Sequence, residues 1–368
     1  MNSREPFPEE LADLVANTQA PCLSAYANVH GTDAGPREAL ICANHLVQRA
    51  EAVAVQGGIA TDMVRRWLAP LVESIDPVPG QARAGRAFAL LADQRGARLW
   101  PLPFRIEEDV AISGTDFVLQ PLLPVFATYH FYLLSLSRRR ARLFGADRYH
   151  VQEIEAPGVE AARDLEVPRE NLRRSAGGEA SVLHDRDQAD AADQAETARF
   201  LRQVGDWLRR ACTVRDRPVI LASTPDLAAG FREHARSLTI LPRAVHGSPE
   251  HCSTHELHAR ALPVADRHFH TERTRQLARL QECDPQRITA DPATVLMAAE
   301  RGRVQTLALG RGTHLCGRFD GHSLTLDPGA PDLLDRAMVL TLRHGGTILP
   351  VAASDLPPGT PCLAHLRY

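Results

Sequence analysis

Lysine is absent from this sequence. All 42 basic residues are arginines, set against 45 acidic ones. The uniformity reads as GC-rich coding, yet it still removes chemistry. No Schiff-base lysine, no phosphate-loop lysine and no Ser-x-x-Lys nucleophile can be built. Paired cysteines are missing as well. Cys22, Cys42, Cys212, Cys252, Cys283, Cys316 and Cys362 are scattered, with no Cys-x-x-Cys. An odd, dispersed set points to reduced thiols in a cytosolic protein rather than to a disulfide framework. No apolar run approaches the length of a membrane span. The stretch Met1–Pro6 carries no apolar core of signal-peptide length. Nor is there an excess of positive charge: the formal net charge is -3. The chain is therefore no general polyanion binder, and any contact with nucleic acid must come from a local patch.

Such a patch is present. Tyr129-His130-Phe131-Tyr132-Leu133-Leu134-Ser135-Leu136 is an apolar, aromatic run of strand length. It leads straight into Ser137-Arg138-Arg139-Arg140-Ala141-Arg142-Leu143-Phe144-Gly145-Ala146-Asp147-Arg148. A strand hairpin with an arginine tip is expected, and guanidinium forks suit phosphate. The candidate contacts are Arg138, Arg139, Arg140, Arg142 and Arg148, extended by Arg173 and Arg174. Strand alternation divides arginines between two faces, so only part of the set can form one patch. A solvated hairpin tip is the competing reading. About thirty residues downstream, Gly177-Gly178-Glu179 lies in a polar stretch.

A chain of 368 residues calls for two or three domains. Up to about residue 126, a strand at 21–28, helical spacing through Met63, Val64, Trp67, Leu68 and Leu71, and a hairpin over 87–100 predict an α/β unit. Leu119–Pro124 reads as a linker. The next unit opens with strands near 130–136, 140–145 and 150–154, followed by a polar loop over 157–192. A helix through Phe200, Val204, Trp207 and Leu208 follows, then a strand over 217–222, a helix from Asp226 and a short strand over 237–240. The order βββ-loop-αβαβ predicts an RNase H-like mixed sheet. A long helix from His255 to about Cys283 joins this unit to a third. There the pattern is helix 292–301, strands 304–309 and 314–319, helix 331–343, and strands 347–351 and 362–368, a small α/β sandwich.

Other constellations carry less. His246, His251, Cys252, His255, His258, His268 and His270 suggest zinc, but no His-Glu-x-x-His or paired-cysteine frame occurs. Surface histidines are the expectation, with no metal and no cofactor. Asp185, Asp187, Asp190 and Asp193 lack the strand-borne partners that a two-metal nuclease requires. They are expected to supply an N-cap and first-turn charge to the helix that follows. Gly310-Arg311-Gly312 is expected to be a turn.

Three stretches carry a resemblance. They are His130–Ser137 with Arg142-Leu143-Phe144; Phe200–Leu208 with Pro218-Val219-Ile220-Leu221-Ala222; and Gly302–Leu307 with Gly317-Arg318-Phe319-Asp320, Asp332–Ala337 and Leu366-Arg367-Tyr368. Glu256–Ala261 also fits. In these the chain resembles the bacterial branch of the archaeo-eukaryotic release factor superfamily, relatives of Pelota and of the eukaryotic peptide-release factor. The resemblance implies an α/β chain of three domains: an N-terminal α/β domain (1–126), an RNase H-like mixed-sheet middle domain with a Gly-Gly loop (127–252), and a Pelota-type α/β sandwich (253–368). It implies ribosome or tRNA as partner, a cytoplasmic setting, and neither membrane nor DNA.

In the release factors the middle-domain loop is Gly-Gly-Gln, and it helps water attack the ester of peptidyl-tRNA. The glycines let backbone approach the tRNA end, and the glutamine positions water. The matching residues here are Gly177, Gly178 and Glu179. A carboxylate lacks the amide's donor, and neighbouring phosphates repel it. The expectation is a translation-associated factor that contacts tRNA or ribosomal RNA, with little or no peptidyl-tRNA hydrolysis. The alternatives are a non-enzymatic adaptor or stress protein that keeps the fold, and a ribonuclease.

Overall fold

The computed structural model describes residues 8–18, 20–30, 35–74, 86–138, 140–154, 181–212, 214, 217–235 and 238–368. Contacts gather the chain into two compact units: Met1–Ala127 with Glu272–Tyr368, and Thr128–Thr271.

The N-terminal part of the first unit begins with α1 (Pro8–Ala16), β1 (Cys22–Asn28), α2 (Pro36–Gln56) and α3 (Thr61–Ser74). The strands β2 (Ala87–Asp93), β3 (Gly96–Leu102) and β4 (Val110–Gly114) follow. The sheet order is β3-β2-β1-β4. Both β1 and β2 are short, mostly apolar runs, with every residue of β2 and the first five of β1 buried. Leu46, Val47 and Ala50 of α2 and Val64, Trp67 and Leu68 of α3 pack on Leu23, Ala25 and Leu90. The strand β4 has no sequence signal, because all five of its residues are half-buried or exposed and none alternates. The expected linker at 119–124 is instead packed structure: a 3-10 turn (Gln120–Leu122) and α4 (Leu123–Phe126). Its prolines, Pro121 and Pro124, occupy first-turn positions, where the lost N–H has no helical partner anyway.

The second unit is built on β5 (His130–Leu136), β6 (Ala141–Asp147), β7 (Val151–Glu153), α5 (Ser181–Ala211), β8 (Val219–Ser223), α6 (Pro225–His234) and β9 (Val245–His246). The sheet order is β7-β6-β5-β8-β9. The first three strands are antiparallel neighbours, and β8 and β9 run parallel to β5. This is the RNase H-like mixed sheet expected from the sequence. Its centre, β5, is covered on both faces. Tyr132, Leu134 and Leu136 meet Phe200, Val204, Trp207 and Leu208 of α5. Phe131 and Leu133 meet Leu257, Ala261 and Ala265 of the long helix α7 (Thr254–Gln281). That helix starts in a capping box: Ser253 N donates to Glu256 Oε2 at 2.8 Å, and Glu256 N donates to Ser253 Oγ at 3.2 Å.

Three details differ from expectation. The helix α5 begins at Ser181, so the last third of the anticipated 157–192 loop is helical. Its first turns, Ser181 to Gln188, are mostly polar, and their sequence has no apolar repeat for periodicity to read. Asp185 and Asp187 consequently fall beyond the first turn, which contains no acidic residue, and neither caps this helix. The fifth strand lies at 245–246 rather than 237–240, where only Ile240 bridges to Val219. Pro242 has no N–H and interrupts the ladder between the two.

The C-terminal part of the first unit contains β10 (Ile288–Thr289), α8 (Pro292–Glu300), β11 (Val304–Gly310), β12 (Gly317–Phe319), β13 (Leu324–Leu326), α9 (Leu333–Arg343), β14 (Thr347–Val351) and β15 (Cys362–Leu366). The main sheet runs β10-β15-β11-β14, and β12 and β13 form a separate hairpin. Asp291 caps α8 through Thr294 N at 2.9 Å, and Asp332 caps α9 through Leu334 N at 2.9 Å. Ala308, Leu349 and Leu363 pack with Leu277 near the end of α7. Among the described residues no helix is long and apolar enough to cross a membrane. All seven cysteines are free thiols.

Candidate nucleic-acid interface

The antiparallel register of β5 and β6 sets Leu136 opposite Ala141, which leaves Ser137–Arg140 as the turn. The turn closes through Ser137 N donating to Arg140 O at 2.9 Å and Arg140 N donating to Ser137 Oγ at 3.1 Å. Arg138 and Arg140 are exposed there. The parallel register places Ser135 beside Ala222, so the turn emerges where β8 gives way to α6. Arg139, Arg173, Arg174, Gly177, Gly178 and Glu179 lie outside the described residues.

Arg142 and Arg148 have different surroundings. Arg142 donates twice to Glu153, from Nε at 3.0 Å and from Nη2 at 2.6 Å, and also reaches Thr254 Oγ1 at 3.3 Å. Its guanidinium carbon stands 4.8 Å from the Phe144 ring centroid. The Glu153 hydrogen bond pushes the Arg142 pKa up, against a smaller burial effect. Arg148 sits 3.6 Å from Asp266, which also accepts from the Tyr129 hydroxyl at 2.6 Å. Both arginines are thus tied to the sheet or to α7, and Arg142 is less exposed than Arg138 and Arg140 of the turn. Neither Glu153 nor Asp266 is near its partner in sequence, and no local spacing signals the pairs.

Below the hairpin an open groove of about 460 Å³ runs past His130, Asp147, His150 and Glu153. Asp147 is held by the chain around it. Burial raises its carboxyl, but a bond to His150 and the N–H groups of Tyr149 and His150 outweigh that and leave it below the ordinary value. The main-chain oxygen of Asp147 bonds His258 Nε2 at 2.8 Å. His258 is 7% exposed and stacks on Phe131. It is a core residue of the second unit, not a surface histidine as expected. Among the described residues no three His, Cys, Asp or Glu side chains are placed to hold a metal ion.

Residues 130–303 match the family described as bacterial archaeo-eukaryotic release factor family 3. The family recognised from the sequence is the family matched. The match takes in the second unit's sheet from β5, the whole of α7 and the α8 region. This segment is similar to that release-factor family. No curated protein matches the chain. Among solved structures, Archaeoglobus fulgidus Pelota is similar at 13% identity over 76% of this chain and 79% of that one, with a TM-score of 0.34. S. cerevisiae Dom34, a translation termination-like factor, is similar at 14% identity over 74% and 73%, with a TM-score of 0.35. The archaeal translation termination factor aRF1 aligns at 14% identity over 98% of both chains, with a TM-score of 0.23. These likenesses are distant, and the α/β fold stands on the strand orders themselves.

Proposed function

We propose that this protein is a translation-associated factor that contacts tRNA or ribosomal RNA, with the ribosome as its partner in the cytoplasm. One coincidence carries the reading: the release-factor family match covers the hairpin whose turn presents Arg138 and Arg140. In this reading Arg138, Arg139 and Arg140 meet phosphate, and Arg173 and Arg174 extend the contact. Arg142 and Arg148 brace the hairpin through Glu153 and Asp266. The functional domains are 1–126, 127–252 and 253–368, the middle one carrying the RNA contact and the Gly177-Gly178 loop.

The same reading assigns little or no peptidyl-tRNA hydrolysis to the protein, because Glu179 stands where an amide is needed. That substitution also supports a second reading, an adaptor that keeps the release-factor fold without ester chemistry. Co-sedimentation with ribosomes at low and high salt tests the primary proposal. Association at low salt and release at high salt are expected from a phosphate-dominated contact. Failure to co-sediment at low salt would remove the ribosome as partner.

A further inference from the structure

At one corner of the C-terminal sheet, three arginines that are distant in sequence converge. Pairing of β10 with β15 puts Ile288 opposite His365 and so brings Arg287 to the end of β15. There Arg287 donates to the main-chain oxygen of Arg367. Arg367 N donates to Arg303 O at 2.8 Å, and the Arg367 side chain donates to His344 O. Arg303 in turn donates to the main-chain oxygen of Tyr368. Among the described residues, none of these three guanidiniums pairs with a side-chain carboxylate. Each finds a main-chain acceptor, while the Nε atoms of Arg287 and Arg303 are buried without a partner. Main-chain oxygens are neutral acceptors, so the cluster keeps its positive charge, and the donors left for a ligand are the outward Nη groups of the three forks. The local field is felt by His365, whose pKa is lowered by burial and then by Arg287.

The fourth member is aromatic. Tyr368 is 71% exposed, and the Arg303 guanidinium carbon lies 5.3 Å from its ring centroid. The cation covers one face of the ring and fixes its orientation, and most of the ring is left to solvent. A large aromatic held open beside uncompensated guanidiniums matches the composition of sites for unpaired nucleotides. Stacking on the ring takes the base, and the fork geometry of arginine takes the phosphates.

We propose that Arg287, Arg303, Arg367 and Tyr368 form a binding platform for a single-stranded nucleic-acid segment, with one base on Tyr368 and the adjoining phosphates on the arginines. The platform is separate from the β5–β6 hairpin and needs no ribosome. The test uses the full chain with Arg138, Arg139 and Arg140 changed to alanine, so that the hairpin contributes nothing. A labelled short oligo(A) RNA is titrated at low salt and followed by fluorescence anisotropy.

Tyr368→Ala is expected to weaken binding about fivefold or more, the loss of one stacked base, and Tyr368→Phe to retain it. Arg303→Ala is expected to weaken binding and to lower the salt slope by about one unit. Tyr368 is exposed, so its replacement should leave the unfolding midpoint unchanged, which separates loss of binding from loss of fold. Equal affinity of Tyr368→Ala and its parent, equal affinity for an abasic oligomer of the same length, or no binding by the parent would each overturn the platform. A failed ribosome sedimentation leaves this measurement unaffected.

Discussion

The Asp335 carboxylate accepts the main-chain N–H of Leu119 at 2.6 Å. The same oxygen accepts from Gln120 N at 2.8 Å. Asp332, the cap of α9, adds Gln120 Nε2 at 2.7 Å and His314 Nδ1 at 2.9 Å. Within the first unit, the start of α9 therefore holds the 119–120 turn by carboxylates. Asp335 is 7% exposed, and its pKa is raised to about 7. Burial raises it, the two N–H groups pull it down, and Asp332 pushes it up again.

The sign of the resulting pH dependence follows. An unfolded aspartate titrates near about 3.9. The folded value lies above that, so the fold prefers the protonated acid. The contribution of Asp335 to stability is greatest below the unfolded pKa and declines as pH rises toward the folded value of about 7. Asp335→Asn keeps an oxygen acceptor and removes the titration. Its stability relative to the native chain should improve between acid and neutral pH, as read from urea unfolding at several pH values. Asp335→Ala leaves both N–H groups unmatched and should cost about 1–3 kcal/mol. A relative stability of the Asn variant that does not change with pH would contradict the assignment.

Arg142 and Glu153 form a two-point pair, with side chains 19% and 32% exposed. Removing either should destabilise the second unit, and a double-mutant cycle should return a coupling of about 1 kcal/mol. RNA affinity measured on folded Arg142→Ala is expected to stay close to native. A drop in affinity and salt slope comparable to that of the hairpin-turn variants would move Arg142 from bracing to direct contact.

Changing Arg138, Arg139 and Arg140 to alanine should leave unfolding unchanged and weaken RNA binding. Each lost phosphate contact lowers the salt slope by about one unit. Filter binding across a salt series reads this directly. An unaltered slope would take the turn out of the interface.

Glu179→Gln restores the amide of the release-factor loop. Ester release from ribosome-bound peptidyl-tRNA should be negligible for the native chain and for Gly178→Ala, and the Gln variant is the one placed to gain activity. Strong native release that Gly178→Ala abolishes would show that a glutamate can serve in this loop.

The second unit was legible because its signals are local. Phe131–Leu136 is one apolar run, Arg138–Arg140 punctuates it, and Phe200, Val204, Trp207 and Leu208 repeat at helical spacing. What escaped notice depends on partners remote in sequence or on mixed burial. The strand β4 has no buried residue to mark it. Leu119 and Leu122 look like linker residues until the turn they belong to is seen buried. The pairing of Arg148 with Asp266 and of His258 with Asp147 joins separate elements, so neither could be read from spacing. The Gly177–Glu179 reading continues to rest on sequence alone.

The alternation along β6 has a consequence for how this segment can change. Arg142, Phe144 and Ala146 share one face and Ala141 and Leu143 the other, each side matched to a different helix layer. Inserting a single residue within the strand would exchange the two sets at once, carrying Leu143 away from α5 and leaving Arg142 in an apolar layer without Glu153. Length variation is therefore confined to the turn, where Arg138 and Arg140 sit. The exposed arginine turn is the part of the hairpin that tolerates a change of length, while the strands that hold it are locked in step.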